Sequence, residues 1–454
     1  MTNELLFITN PILDGSRSNQ RPAVCGCVGA AHARSEHQRM SAKVSGEVKD
    51  VELLKDEVGG LMMEFGITTL TFYKGDYASA RKALRDQFAK VVASNPWLAG
   101  RLVKSKTGIR LRVPAEPISD SDIDPLFASD TGSAFKLEPT APYDKICADM
   151  YKSKTVIVGN GYSLAGKDKP LTILTLAESA PGEFALVFSL SHAVADGKTY
   201  YDVFKMLQPG AAVRELSTTR VMSFSETMRD ACGRKEMAWV DKPATGIMLT
   251  LAMAFNSKAK CVAFDLDAER LAAAKAAGAA EGGVPYVTTN DILTCGFFNA
   301  CGSRIGMMGM DCRGRLEGID QDMAGNYVTA LVLGNDVFET PATLRKMYAT
   351  TPYQVTKRPL PKCCGGLKKE WNFGMVTNWS SFAGGLVALE GCEMVIHLPV
   401  MNHAYIAWDM MIPFARGVGK LGVICWTVST DEAGLRKALP VGDCVSKELF
   451  PSQA

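Results

Sequence analysis

The sequence predicts an α/β fold of mixed sheets built in two halves, and three observations carry that reading. Helix and strand periodicities alternate along the chain from Asp76 onward. A continuous apolar strand ends in a histidine that is followed four residues later by Asp-Gly, within Ser189-Leu190-Ser191-His192-Ala193-Val194-Ala195-Asp196-Gly197. Finally, 454 residues at 47% hydrophobic and 22% charged are ordinary globular composition, long enough for two domains or one large pseudo-repeated unit.

In order, Ala80, Leu84, Phe88, Val91 and Val92 fall on one face of a helix that begins after Asp76 and stops at Asn95-Pro96. The turn Trp97-Leu98-Ala99-Gly100-Arg101-Leu102-Val103 follows, then the alternating strand Ile109-Arg110-Leu111-Arg112-Val113. Strands at Leu171 to Leu176 and Phe184 to Ser191 flank Ala180-Pro181-Gly182-Glu183 and make an antiparallel hairpin. The second of these does not alternate, so it is buried on both faces. After Gly197 a helix buries Tyr200, Val203, Phe204 and Leu207.

Residues 208–260 read as a crossover linker, punctuated by Pro209-Gly210 and Lys242-Pro243. A strand at Cys261 to Leu266, a helix at Ala268 to Ala277 and a second helix at Thr289 to Ala300 open the next half. Apolar stretches at Tyr327 to Val332, Cys392 to Leu398, Ala404 to Ile412 and Leu421 to Val428 complete it. The expected organisation is a poorly structured extension over 1–50, a first half over 51–207, the linker over 208–260 and a second half over 261–454.

The net charge of +2, from 50 basic and 48 acidic residues, excludes a globally polyanion-binding chain, so no nucleic-acid partner is expected. Thirteen scattered cysteines, an odd count, point to a reducing compartment rather than a disulfide scaffold. Cys25/Cys27 and Cys363/Cys364 lack further ligands at zinc spacing, and no metal is expected. No apolar run reaches the roughly 18 residues of a membrane span; the longest candidate is Gly246 to Phe255. A soluble, cytoplasmic protein is the expectation. A plastid or other organelle is the alternative, because Ser16 to Lys43 is rich in Ser, Ala and Arg and poor in acids.

A histidine at the end of a buried strand places an imidazole at an edge where a channel can open, in position to act as a base. Gly197 is expected to allow a sharp reversal beside the ring. Asp196 is expected to point back into the turn and work structurally, through an arginine.

These residues resemble the CoA-dependent acyltransferase superfamily that includes the BAHD enzymes, chloramphenicol acetyltransferase and peptide-synthetase condensation domains. His192, Asp196 and Gly197 match its HxxxDG motif. Asn95-Pro96-Trp97-Leu98-Ala99-Gly100-Arg101-Leu102 is similar to the end of its first helix and the turn that follows. Met310-Asp311-Cys312-Arg313-Gly314-Arg315-Leu316 and Gly325-Asn326-Tyr327-Val328 are similar to its Asp-x-Arg strand and Gly-Asn segment. The late Asp-Phe-Gly-Trp-Gly motif of the plant members is missing. Either Asn372-Phe373-Gly374 stands in its place, or Val376-Thr377-Asn378-Trp379-Ser380-Ser381-Phe382 is the preceding strand and the motif has degenerated to Ala383-Gly384-Gly385.

The resemblance implies two chloramphenicol-acetyltransferase-like domains with a tunnel between them and His192 midway along it, an arrangement that permits a monomer. It implies acyl-CoA as co-substrate and transfer of the acyl group to a small-molecule alcohol, with His192 as general base and no covalent acyl-enzyme. An amine acceptor, or a carrier-dependent condensation, shares the same histidine. A catalytically silent relative that keeps the fold as a scaffold is the reading from another class. Arg313 is the implied partner of Asp196. Oxyanion donors are sought among Thr377, Asn378, Trp379 and Ser380, with Asn378 and Trp379 retained. Lys357, Arg358, Lys362, Lys368 and Lys369 form a basic cluster suited to the phosphates of CoA. Gly417-Val418-Gly419-Lys420 lacks the remaining residues of a phosphate loop, which excludes it as a nucleotide site.

Overall fold

The structure, a computed structural model, describes residues 48–130, 141–153, 155–242, 245, 259–350, 352–360, 372–403 and 406–444. The extension through residue 47, both cysteine pairs, the apolar run Gly246 to Phe255, and Lys362, Lys368 and Lys369 lie outside the described residues.

In chain order the strands are β1 (Lys49–Glu52), β2 (Gly66–Lys74), β3 (Arg101–Ser105), β4 (Gly108–Val113), β5 (Phe127–Asp130), β6 (Thr172–Ala180), β7 (Glu183–Ser191), β8 (Lys260–Leu266), β9 (Ile305–Asp311), β10 (Val328–Gly334), β11 (Phe373–Val376), β12 (Glu393–Pro399), β13 (Asp409–Gly417), β14 (Lys420–Thr427) and β15 (Val441–Cys444). They form a small sheet ordered β1-β4-β3, a five-stranded sheet ordered β12-β2-β7-β6-β5 and a seven-stranded sheet ordered β10-β9-β11-β13-β14-β8-β15. Both larger sheets mix parallel and antiparallel pairs. The architecture is therefore mixed α/β, as the periodicities predict.

The five-stranded sheet carries His192. Its hairpin β6–β7 turns at Pro181-Gly182, where Gly182 adopts φ 77°. Apart from half-buried Glu183, β7 is buried throughout. Three threonines of neighbouring β2 suit a strand by β-branching, and each buried hydroxyl has a partner: Thr68 with Ser189 Oγ, Thr69 with the Tyr200 hydroxyl and Thr71 with His397 Nδ1, all at 2.8 Å. His397 belongs to β12, so a strand from the second half of the sequence completes the first half's sheet. Its other nitrogen meets the Tyr201 hydroxyl at 3.1 Å.

The helix Tyr77–Ser94 buries Ala80, Leu84, Phe88, Val91 and Val92, the stripe read from the sequence, and Asp76 caps it by accepting from Ala78 N. The helix Thr289–Ala300 opens with a Thr288/Asp291 capping box. The helix beginning at Ala268 runs on to Gly282, past the expected Ala277, because Ala-rich sequence continues until Gly283 takes the left-handed cap at φ 59°. Among its described residues the expected linker contains the helices Phe224–Cys232 and Arg234–Val240. The first buries Phe224, Met228, Ala231 and Cys232, a helical stripe diluted in the sequence by the charged residues between them. Gly417-Val418-Gly419-Lys420 is the β13–β14 hairpin turn, with Gly419 at φ 68°.

Candidate active site

At the end of β7 the Ser191 amide still donates to Leu171 O at 2.8 Å, and the chain then leaves the sheet. Ala193, Val194 and Ala195 are fully buried, which fixes this short connection by packing. Asp196 caps the helix Gly197–Met206 by accepting from Thr199 N at 2.9 Å. The reason expected for Gly197 is corrected here: its backbone is not in the left-handed region, and a Cβ there would meet only Phe382 Cε2, at 3.4 Å. What the missing side chain leaves is space, because Gly197 lies on the wall of the chamber that His192 borders.

The Asp196 carboxylate faces away from that chamber into a buried clasp. Arg313 Nη1 donates to its Oδ2 at 2.8 Å and Tyr327 N donates to the same oxygen at 3.0 Å. Arg313 also reaches Asp311 Oδ1 at 2.8 Å, Thr199 Oγ1 at 3.0 Å and Gly325 O at 3.0 Å. Burial alone would lower the Arg313 pKa, but the two carboxylates outweigh it and the net shift is upward. The Asp196 amide donates to Gly325 O at 3.1 Å. Residues of the second half thus hold the histidine loop of the first.

A second buried network lies behind the ring. Asn326 Nδ2 donates to His192 O at 2.7 Å, and Asn326 N donates to Glu57 Oε1 at 2.9 Å. Glu57 is fully buried, and its other oxygen accepts from Leu54 N and Arg220 Nε, both at 2.8 Å. Arg220 passes so close to Gly325, at φ 124°, that a Cβ there would fall 2.7 Å from the guanidinium carbon. Two atoms stay unsatisfied: His192 Nδ1 and Asn326 Oδ1 are both buried without a well-formed hydrogen bond among the described residues. Against burial, the His192 backbone carbonyl, the Asp196 carboxylate, Asn326 and Glu57 favour the charged ring. Burial dominates, holding the His192 pKa below the usual imidazole value. The neutral ring is the form of an imidazole that can accept a proton.

The chamber has a volume of about 260 Å³ and takes its walls from both large sheets. The period of two in β9 separates its faces: Met307, Gly309 and Asp311 line the chamber, while Met308 and Met310 sit in the second core. Likewise Met375 and Thr377 face the chamber across buried Val376, and Met410 precedes core Met411. Burial raises the Asp311 pKa, opposed by Arg313.

The candidates beyond the histidine loop divide. Thr377, Asn378 and Trp379 all border the chamber with His192. β11 ends at Val376 and a 3₁₀ turn spans Ser380–Gly385, so these residues form a bend rather than a continuing strand. The Trp379 indole N–H donates to Thr377 Oγ1 at 3.2 Å, Asn378 Nδ2 donates to Asn290 Oδ1 at 2.9 Å, and Asn378 Oδ1 accepts from Ser380 N and Oγ. Trp379 has spent its one side-chain donor inside the bend, and Thr377, having accepted it, keeps its own hydroxyl hydrogen. Lys357 and Arg358 do not border the chamber; Lys357 N donates to Asp336, and Arg358 lines a separate hollow with Asp336 and Glu339. Among the described residues no cluster of three His, Cys, Asp or Glu is placed to hold a metal, and no helix is long and apolar enough to cross a membrane. Sequence reasoning gave Glu57 and Arg220 no role, and no local motif marks them; Asn326 was visible only as part of the Gly-Asn segment.

The mixed α/β architecture has counterparts among solved structures. No protein-family model matches the chain, and no curated protein matches it in sequence. Solved structures do match in fold. The first condensation domain of the CDA synthetase aligns with TM-score 0.50 at 14% identity, over 86% of this chain and 93% of that one. Polyketide synthase associated protein 5 from Mycobacterium tuberculosis gives 0.52 at 13%, over 86% and 96%. F. graminearum TRI101, complexed with coenzyme A and T-2 mycotoxin, gives 0.51 at 13%, over 86% and 96%. The chain has the fold these proteins share.

Proposed function

We propose that the protein transfers an acyl group from acyl-CoA to an acceptor hydroxyl, with His192 as general base. The observation that carries this reading is His192 itself: a strand-end imidazole, kept neutral by burial, bordering a chamber between two sheets. The bond to TRI101 is fold, yet that structure holds coenzyme A together with a second small molecule, an arrangement that suits a two-substrate transfer.

His192 Nε2 takes the proton as the acceptor oxygen attacks the thioester carbonyl, a role worth about 10²–10⁴-fold. The tetrahedral oxyanion accepts a hydrogen bond from the Thr377 hydroxyl, whose own oxygen already accepts from the Trp379 indole N–H. Collapse breaks the carbon–sulfur bond, and the proton on His192 passes to the departing thiolate. Asp196 and Arg313 hold the loop and take no proton. Asn378 supports the bend through Asn290 and Ser380. Lys357 and Arg358, with Lys362, Lys368 and Lys369, remain a proposed phosphate patch for the CoA end remote from the thioester. A carrier-dependent condensation is the second reading, favoured by the fold match to the CDA condensation domain.

The test is thiol release from short and long acyl-CoAs with pooled alcohols and amines, comparing wild type with His192→Ala at matched folding. Acceptor-dependent release that vanishes in the variant supports transfer. No CoA binding by calorimetry and no release would overturn it in favour of the carrier-dependent or scaffold readings.

A further inference from the structure

Five methionines, Met62, Met307, Met375, Met401 and Met410, line the His192 chamber together with Trp408. They come from different parts of the chain: the segment before β2, strands β9, β11 and β13, and the connection after β12. Thioether side chains are apolar, unbranched and adaptable, so such a wall accepts varied apolar shapes and offers little to a polyol. Charges on the wall are already engaged. Lys198 pairs with Asp202, and one oxygen of Asp311 is held by Arg313 at 2.8 Å. A charged or heavily hydroxylated group entering here would lose water without gaining matched partners.

We infer that the group seated beside His192 is neutral and apolar: an aliphatic or aromatic acyl tail or acceptor skeleton, rather than a sugar, a polyamine or a carboxylate. The inference rests on the acyl-transfer reading for its chemistry, and on the chamber wall alone for its substrate class. Each methylene that the chamber takes from water tightens binding about fourfold until the space is filled.

Calorimetric titration with butanol, hexanol and octanol, set against glycerol, glucose and spermidine, measures the class without turnover. Thiol release across acetyl-, octanoyl- and palmitoyl-CoA then shows whether donor or acceptor supplies the apolar group. The expected result is alkanol affinity, or donor preference, rising about fourfold per methylene. Alkanol affinity should fall at least tenfold in Met375→Asp and in Met401→Asp, variants from different walls, and persist in His192→Ala, where thiol release is lost. If neither aspartate variant folds, the wild-type chain-length series decides alone. Flat chain-length dependence in both partners, or preference for glycerol, glucose or spermidine over octanol, overturns the inference even where acyl transfer is active. Alkanol binding with the expected dependence but no thiol release from any CoA leaves the apolar class standing and removes the acyl-transfer reading.

Discussion

Replacing Asp196 with Asn keeps the shape of the side chain and removes the charge at the centre of the clasp. Four donor contacts converge on this carboxylate: Thr199 N at 2.9 Å, Arg313 Nη1 at 2.8 Å, Arg313 Nη2 at 3.3 Å and Tyr327 N at 3.0 Å. An amide can accept through one oxygen only, so its NH₂ must face a donor, and Arg313, with a fully buried side chain, keeps only Asp311 as a counter-charge. Breaking a buried pair from one side costs about 3–5 kcal/mol. Because the chain is long and not a simple two-state system, the informative assay is local: hydrogen exchange at the Thr199 and Tyr327 amides. A loss of about 3 kcal/mol in the opening free energy accelerates their exchange more than 100-fold. Removing both charges with Asp196→Leu/Arg313→Met should recover part of the loss, since the lone buried charge is then absent. Protection of both amides in Asp196→Asn within threefold of wild type would refute the argument that the clasp docks the histidine loop.

The other predictions concern acid stability and the chemistry of the site. Burial lowers the His397 pKa to about 3, so between that value and the unfolded value of about 6.5 the folded protein binds fewer protons than the unfolded chain. Stability fully present above pH 6.5 is lost as pH falls, by about 2–3 kcal/mol from this residue at pH 4.5; His397→Gln should show a smaller drop in urea midpoint between pH 7 and 4.5, and an unchanged drop would contradict it. Thr377→Val is expected to lower kcat about 10²-fold with little change in KM, with Thr377→Ser largely restoring it; a pure KM effect would count against an oxyanion role. Asn326→Ala should reduce kcat about tenfold and move the acid limb of the kcat/KM profile, which lies below 6.5 in wild type because burial depresses the His192 pKa. An unmoved limb would make Asn326 merely structural.

What could be read from the sequence was whatever chemistry or periodicity is local. The Ala80 to Val92 stripe and the β6–β7 hairpin are each contained in a short run of consecutive residues, and both have the geometry their pattern implies. Arg313 could be named beforehand only through family resemblance, since 117 positions separate it from Asp196. Glu57 and Arg220 escaped for the same reason without that help: their pairing spans 163 positions, and neither sits in a motif. The reasoning about Gly197 failed because a glycine after an aspartate can serve space as well as backbone freedom, and a sequence does not say which. Asn378 and Trp379, sought as oxyanion donors, border the chamber, and only the bend reveals that the indole hydrogen is already committed to Thr377.

The placement of β12 has a consequence for how the two halves depend on each other. Its apolar run reads as one more strand of the second half, yet it pairs antiparallel with β2 from Glu393↔Lys74 to Pro399↔Thr69 and leaves the seven-stranded sheet to others. Buried His397 reinforces that choice, because its two nitrogens find Thr71 and Tyr201, both from the first half. Without β12 the first half would expose the edge of β2 and leave the Thr71 hydroxyl without its partner, a buried polar cost of about 1–3 kcal/mol beyond the lost strand pairing. The Asp196–Arg313 clasp ties the halves at the opposite end of β7 from that strand's start. A strand crossing and an ion-pair crossing, beside the Glu57–Asn326–His192 network, therefore fix the chamber walls relative to each other. His192 at the end of one sheet and Thr377 at the end of a strand in the other then border one chamber without either half forming it alone.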